Sequence, residues 1–241
     1  PRAVGGEGET VAAEGAAGEK LVGHAVVRAV AADVPVTPVT RVDVDVARGI
    51  TRAITERRIS HVVIGWSGMP SPRQRIFGSI LDRLLELSRA EVLVCRLTHP
   101  LGTHAGVMVV VPPLAEHEPG FDEVLRTVKL LAARAGGRLS LVVERQSGRI
   151  VEVHARAARP DVPLTLHPFD HYHRLFAELG ELLKGEELVV LVSARTSQRS
   201  WQPPLDRQPR RVRVAAPGLR GDGVHIGRVP RGGRASRSSS T

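Results

Sequence analysis

Short runs of β-branched and aliphatic residues, "HVVIGW", "EVLVCRL", "GVMVVVPP", "RLSLVVE" and "EELVVLVSA", alternate with longer amphipathic stretches along the chain. Consecutive Val and Ile residues suit a strand buried on both faces, a setting that a parallel sheet covered by helices provides. Only 3% of the residues are aromatic, so the core must be built from Val, Leu, Ile and Ala. The expected class is α/β, with an open parallel sheet.

The chain is read as follows. "EKLVGHAVVRAVAA" is a helix with Leu21, Val22, Ala25, Val26 and Ala29 on one side, and "VPVTPVTRV" is an edge strand because Pro35 and Pro38 cannot donate to a ladder. Asp45 caps a helix through about Arg58, with Val46, Ile50, Ala53 and Ile54 inward. Strand 61–66, a glycine loop, helix 77–90 and strand 91–97 follow. After the turn residues of "THPLGTH" the alternation resumes. A helix started by Pro119 and stopped by Gly136-Gly137 is followed by strand "RLSLVVE", helix "GRIVEVHARAAR", strand "VPLTLH" and a helix capped by Asp170. Strand "EELVVLVSA" and a last short strand "RRVRVAA" complete five strands in this part of the chain.

The loop between "VVIG" and the helix carries Gly65, Gly68, Gly78 and Ser79. Glycines there let the backbone come close to a ligand, and the free N–H groups of the helix's first turn, with the helix dipole, favour an anion. No Gly-Lys-Ser/Thr follows, so this is not the common NTPase phosphate loop.

The spacing of Gly65, two residues, Gly68, nine residues, Gly78 and Ser79 resembles the signature of the universal stress protein family. The resemblance implies a Rossmann-like domain whose loop cradles the phosphates of ATP or AMP. Gly65 and Gly68 would form the close-approach loop, while Gly78 and Ser79 present N–H groups and a hydroxyl to phosphate. Arg73 and Arg75 either add charge-assisted contacts or stand on a solvated loop. Pro70 and Pro72 depart from the flexible residues the family tends to have there.

The two parts of the chain can be laid over one another, with "VPVTPV" on "VPLTLH" and "HVVIGWSG" on "LVVLVSAR", which sets Gly65 opposite Ser193. Two domains of universal stress type in tandem are expected, residues 1–98 and 105–217. The first copy starts at its second helix and lacks its opening strand-helix-strand, which would lie upstream. Where the first copy has Gly65, Gly68, Gly78 and Ser79, the second has Ser193, Thr196, Asp206 and Arg207. Asp206 would repel a phosphate, so the second copy is read as non-binding.

Several segments, among them "DVDVARGITRAITERRISHVVIGW" and "VVLVSARTSQRSWQPPLDRQP", resemble the cytoplasmic C-terminal region of bacterial sodium/proton antiporters. That resemblance implies a cytosolic regulatory region at the inner face of the membrane, with a transporter domain upstream as its partner. A free-standing tandem universal stress protein is the alternative, and a homodimer stays open. The chain opens on Pro1 rather than Met, as expected of a piece of something longer.

Of the net charge of +9, +4 falls after Pro217, where five Arg stand against one Asp, and residues 218–241 are expected to be a basic disordered tail. Stacking platforms for nucleic acid are not expected from so few aromatics. Cys95 is the single cysteine; it excludes an internal disulfide, suits a reducing cytoplasm and reads as an inert core thiol. No apolar run is long enough to span a membrane. His167, His171 and His173 in "HPFDHYH" do not share a helix face, so no metal site is expected. Glu116 and Glu118 read as a polar loop without an acid-base partner. No catalytic set is found, and the chain is not expected to be an enzyme.

Overall fold

A computed structural model describes residues 19, 20, 22–41, 43, 45–65, 80, 81, 83–172, 175–183, 186–194, 198–202 and 223–227. By its contacts the chain falls into two units, residues 1–49 and 50–241, and the linker expected near residue 100 lies within the second. The reason is a ladder, described below, that joins strands from both sides of that linker.

In the smaller unit, helix α1 covers 22–31, and its less exposed positions are Val22, Val26 and Ala29. Ala25, expected on the same side, is exposed. Residues 34–41 form no strand and stay exposed, so the edge strand read from "VPVTPVTRV" is corrected: Pro35 and Pro38 remove two donors, and no ladder forms. Asp45 does cap the next helix, its Oδ1 accepting the Arg48 N–H at 3.1 Å. That helix, α2, runs Val46–Glu56. Val46 is exposed, contrary to expectation, and Ala47 takes the buried place in the first turn.

In the larger unit Ile50 and Ile54 of α2 pack with Leu84 and Ala90 and with Val62 and Ile64 of strand β1 (His61–Gly65). Leu84 belongs to helix α3, which includes 80, 81 and 83–87 among the described residues and leads to strand β2 (Glu91–Arg96). Then come β3 (Gly106–Val110), α4 (Phe121–Arg134), β4 (Leu139–Glu144), α5 (Gly148–Ala157), β5 (Leu164–Phe169), α6 (Leu175–Leu182), β6 (Glu187–Ser193) and β7 (Gly223–Gly227). The expected helix cap at Asp170 is not found: its carboxylate is held by Arg145 at 2.6 and 3.2 Å, and the helix starts at Leu175.

These strands form one seven-stranded sheet in the order β1-β2-β7-β6-β3-β4-β5. Every neighbouring pair is parallel except β2 with β7. Alternation along β3 explains why the sheet is covered on both faces. Val107 and Val109 join the cluster under α4 and α5 with Val124, Val128 and Val151. Met108 and Val110 join the opposite cluster with Phe169, Leu175 and Leu179. Burying that much Val and Leu, at about 25 cal/mol per Å² of apolar area, is the main stabilisation such a fold has.

Strand β7 lies in the stretch read as a disordered tail, which is a second correction. "GVHIG" gains ladder bonds on both sides, from β2 and from β6, and those outweigh a composition too poor in apolar residues for a core of its own. The expected strand "RRVRVAA" lies outside the described residues. The pairing scheme has a local symmetry. Gly65 pairs with Cys95 and Ser193 pairs with Gly227, while across the antiparallel ladder Cys95 meets Val224 and Gly227 meets Val92. Exchanging β1–β2 for β6–β7 leaves that scheme unchanged when Gly65 is set opposite Ser193.

Candidate functional site

Gly65, at the carboxyl end of β1, is exposed, and a methyl built on it meets nothing within 4 Å. In open α/β sheets ligands lie at this end of the strands. Gly68, Arg73, Arg75, Gly78 and Ser79 lie outside the described residues, as do Thr196, Asp206 and Arg207, the positions set opposite them in the sequence. So Gly65 is the one of the six candidate ligand residues that lies among the described residues.

The second part of the sheet has a switch point between β3 and β6. The chain moves outward from β3 through β4 to β5 and returns on the other side of β3 as β6. A crevice at the carboxyl ends of such a strand pair is the usual ligand position. Here it is bridged from within. Glu118, from the loop after β3, accepts hydrogen bonds from the Ser200 N–H at 2.9 Å, the Ser200 hydroxyl at 3.0 Å and the Gln198 amide at 3.1 Å, all from the loop after β6. Both Glu118 and Ser200 are buried. The arrangement is an oxyanion holder occupied by the chain's own carboxylate. An external phosphate would have to displace a charge-assisted network and then face the displaced charge.

Glu116 is tied as well. Its Oε1 accepts the Ser147 hydroxyl at 2.6 Å, next to the start of α5, and its buried Oε2 has no hydrogen-bond partner among the described residues. Both carboxylates of this polar loop thus have hydrogen-bond donors, which are hydroxyl, amide and backbone N–H groups. The sequence held no signal for these partners, which lie 31 and 82 residues away.

Because β2 runs antiparallel to β7, β6 and β3, Glu91, which opens β2 and is only 1% exposed, lies at the same end of the sheet as the carboxyl ends of β3 and β6. Its Oε2 accepts from the Thr127 hydroxyl of α4 at 3.4 Å and lies 3.5 Å from Nε2 of His61 on β1, while Oε1 has no hydrogen-bond partner among the described residues. Burial pushes its carboxyl up to about 7; the Thr127 hydrogen bond opposes this and nearby Glu123 adds to it. Lys129, also buried, donates to the carbonyls of Ala155 at 2.8 Å and Ala158 at 2.6 Å, closing the end of α5.

Among the described residues there is no cluster of three or more His, Cys, Asp or Glu that could hold a metal, and no helix long and apolar enough to cross a membrane.

Residues 2–96 match the model of the Universal stress protein family. A crystal structure of a universal stress protein from Archaeoglobus fulgidus DSM 4304 superposes with a TM-score of 0.60 at 15% identity, over 92% of this chain and 80% of that one. At that identity the likeness establishes the fold. No curated protein matches the chain.

Proposed function

We propose that the chain is a tandem of universal stress type whose first copy binds an adenine nucleotide, ATP or AMP, and which acts as a regulatory region without catalysis of its own. The observation that carries this reading is Gly65. It ends a parallel strand inside the segment that matches the family, at the place where the glycine loop begins. Gly68, Gly78 and Ser79 would complete the phosphate cradle, with Arg73 and Arg75 beside it.

The ladder register supports the tandem, because the same exchange that overlays the two sequences also preserves the pairing of β2 with β7. The outer edge of β1 has no strand beside it among the described residues, whereas β6 has β3 in that position. That difference supports a first copy lacking its opening strand. The Glu118 bridge supports a second copy that takes no nucleotide.

The setting we favour is the cytosolic region of a sodium/proton antiporter, on the resemblance of segments such as "DVDVARGITRAITERRISHVVIGW". A free-standing tandem protein is the second reading, favoured by a structural likeness that runs over 92% of the chain. The complete coding sequence separates the two, since a transporter requires a series of apolar spans of about 20 residues each.

Calorimetry with ATP and AMP tests the nucleotide site. Binding should be lost on Gly78→Trp, which fills the phosphate position, and kept on Asp206→Trp. Absence of binding to the protein with a completed first copy at millimolar nucleotide would overturn the reading.

A further inference from the structure

Glu91 is a buried carboxyl at a joint. It belongs to β2, its Cα partner on β1 is His61, and the hydroxyl it meets comes from α4, which follows β3. His61 also approaches Thr127, with Nε2 3.5 Å from Oγ1. The titratable groups facing Glu91 are thus His61 from β1 and Glu123 from α4, one turn before Thr127. With one oxygen unpartnered and the other sharing one hydroxyl, the ionised form is poorly compensated. A proton on the carboxyl removes the charge and turns one oxygen into a donor toward this cluster.

We propose that Glu91 is a proton-operated contact between the β1–β2 pair and α4: protonated, it holds the strand pair on the helix; ionised, it stands buried beside Glu123 and loosens that contact. The step is a proton exchange with solvent through the half-exposed side of His61, whose side chain is 49% accessible. This inference stands independently of nucleotide binding.

The direction follows from linkage. A carboxyl raised from 4.5 to about 7 in the folded chain contributes docking that is fully present below pH 4.5 and is lost as pH rises through about 7. A shift of that size corresponds to a change of about a hundredfold or more in the docking equilibrium.

Hydrogen exchange on the full chain at pH 5.5 and pH 8, corrected for intrinsic rates, reads this directly. Amides of β1 and β2 should lose about thirtyfold in protection at pH 8 relative to pH 5.5 while β4 and β5 change little. Glu91→Gln, neutral at both pH values, should abolish the difference. Carbon NMR of the Glu91 carboxyl in the unaltered chain provides a second measurement that does not depend on a variant folding. Titration near 4.5, or a pH response that survives in Glu91→Gln, overturns the proposal.

Discussion

Glu118 and Ser200 are joined twice, through the Ser200 backbone N–H and through its hydroxyl, and so the loop after β3 is tied to the loop after β6 across 82 residues. Two donors on a buried serine depend on one carboxylate. Glu118→Ala should leave both unsatisfied and cost about 1–3 kcal/mol, whereas Glu118→Gln, which keeps an acceptor oxygen, should cost less. Urea denaturation with unchanged slope and a lowered midpoint is the expected result.

Lys129 makes a similar case at the end of α5. Its ammonium donates to two carbonyls of the last turn, and methionine of similar length would leave both without that donor. Lys129→Met should therefore destabilise by roughly 1–3 kcal/mol, despite replacing a buried charge by an apolar group. A midpoint equal to or above the parent's would mean that desolvation of the ammonium cancels its hydrogen bonds.

How much of this was legible in the sequence depends on what stabilises each element. "GVMVVVPP" and "EELVVLVSA" were readable because both faces of those strands are buried, so every position is apolar. "GVHIG" was not, because its stability comes from ladders on two sides while its own residues include three glycines or histidine in five positions. "VPVTPVTRV" misled in the other direction: the composition is strand-like, but no partner strand receives it. The environment of Glu91 was not legible, since nothing in sequence places Thr127 and Glu123 of a later helix beside it. The glycine spacing around Gly65 was legible as a motif, yet the Glu118 bridge across the crevice between β3 and β6 depends on contacts that no local pattern encodes.

Cys95 is half-buried in β2, and burial pushes its thiol above the ordinary range. The thiolate is the reactive form. At pH 8 an aromatic disulfide reagent should react with the native chain several times more slowly than with the same chain unfolded in urea. Equal rates would contradict a structural, inert thiol.

Gly136 and Gly137 follow α4 with φ of +73° and +70°, but only one is enclosed. A methyl on Gly136 would lie 2.3 Å from the Ala105 carbonyl carbon and 2.5 Å from its oxygen, while one on Gly137 meets nothing within 4 Å. Gly137→Ala should cost only the left-handed strain of about 1–2 kcal/mol. Gly136→Ala adds a backbone clash and should cost clearly more, lowering the melting midpoint by several degrees beyond its neighbour.

Gly65 separates fold from ligand. It ends β1 in open space, so Gly65→Ala should leave stability unchanged or raise it by a few tenths of a kcal/mol, because alanine has fewer unfolded conformations to lose. If the loop after β1 holds a nucleotide, the same methyl stands where backbone must approach phosphate or ribose, and affinity should fall by about tenfold or more, equivalent to roughly 1.4 kcal/mol. Measuring denaturation and calorimetry on one variant gives both numbers. An unchanged midpoint with weakened binding assigns Gly65 to the ligand. An unchanged midpoint with unchanged binding removes it from the site, and the glycine spacing that begins there would then have to serve the loop's own conformation rather than a phosphate.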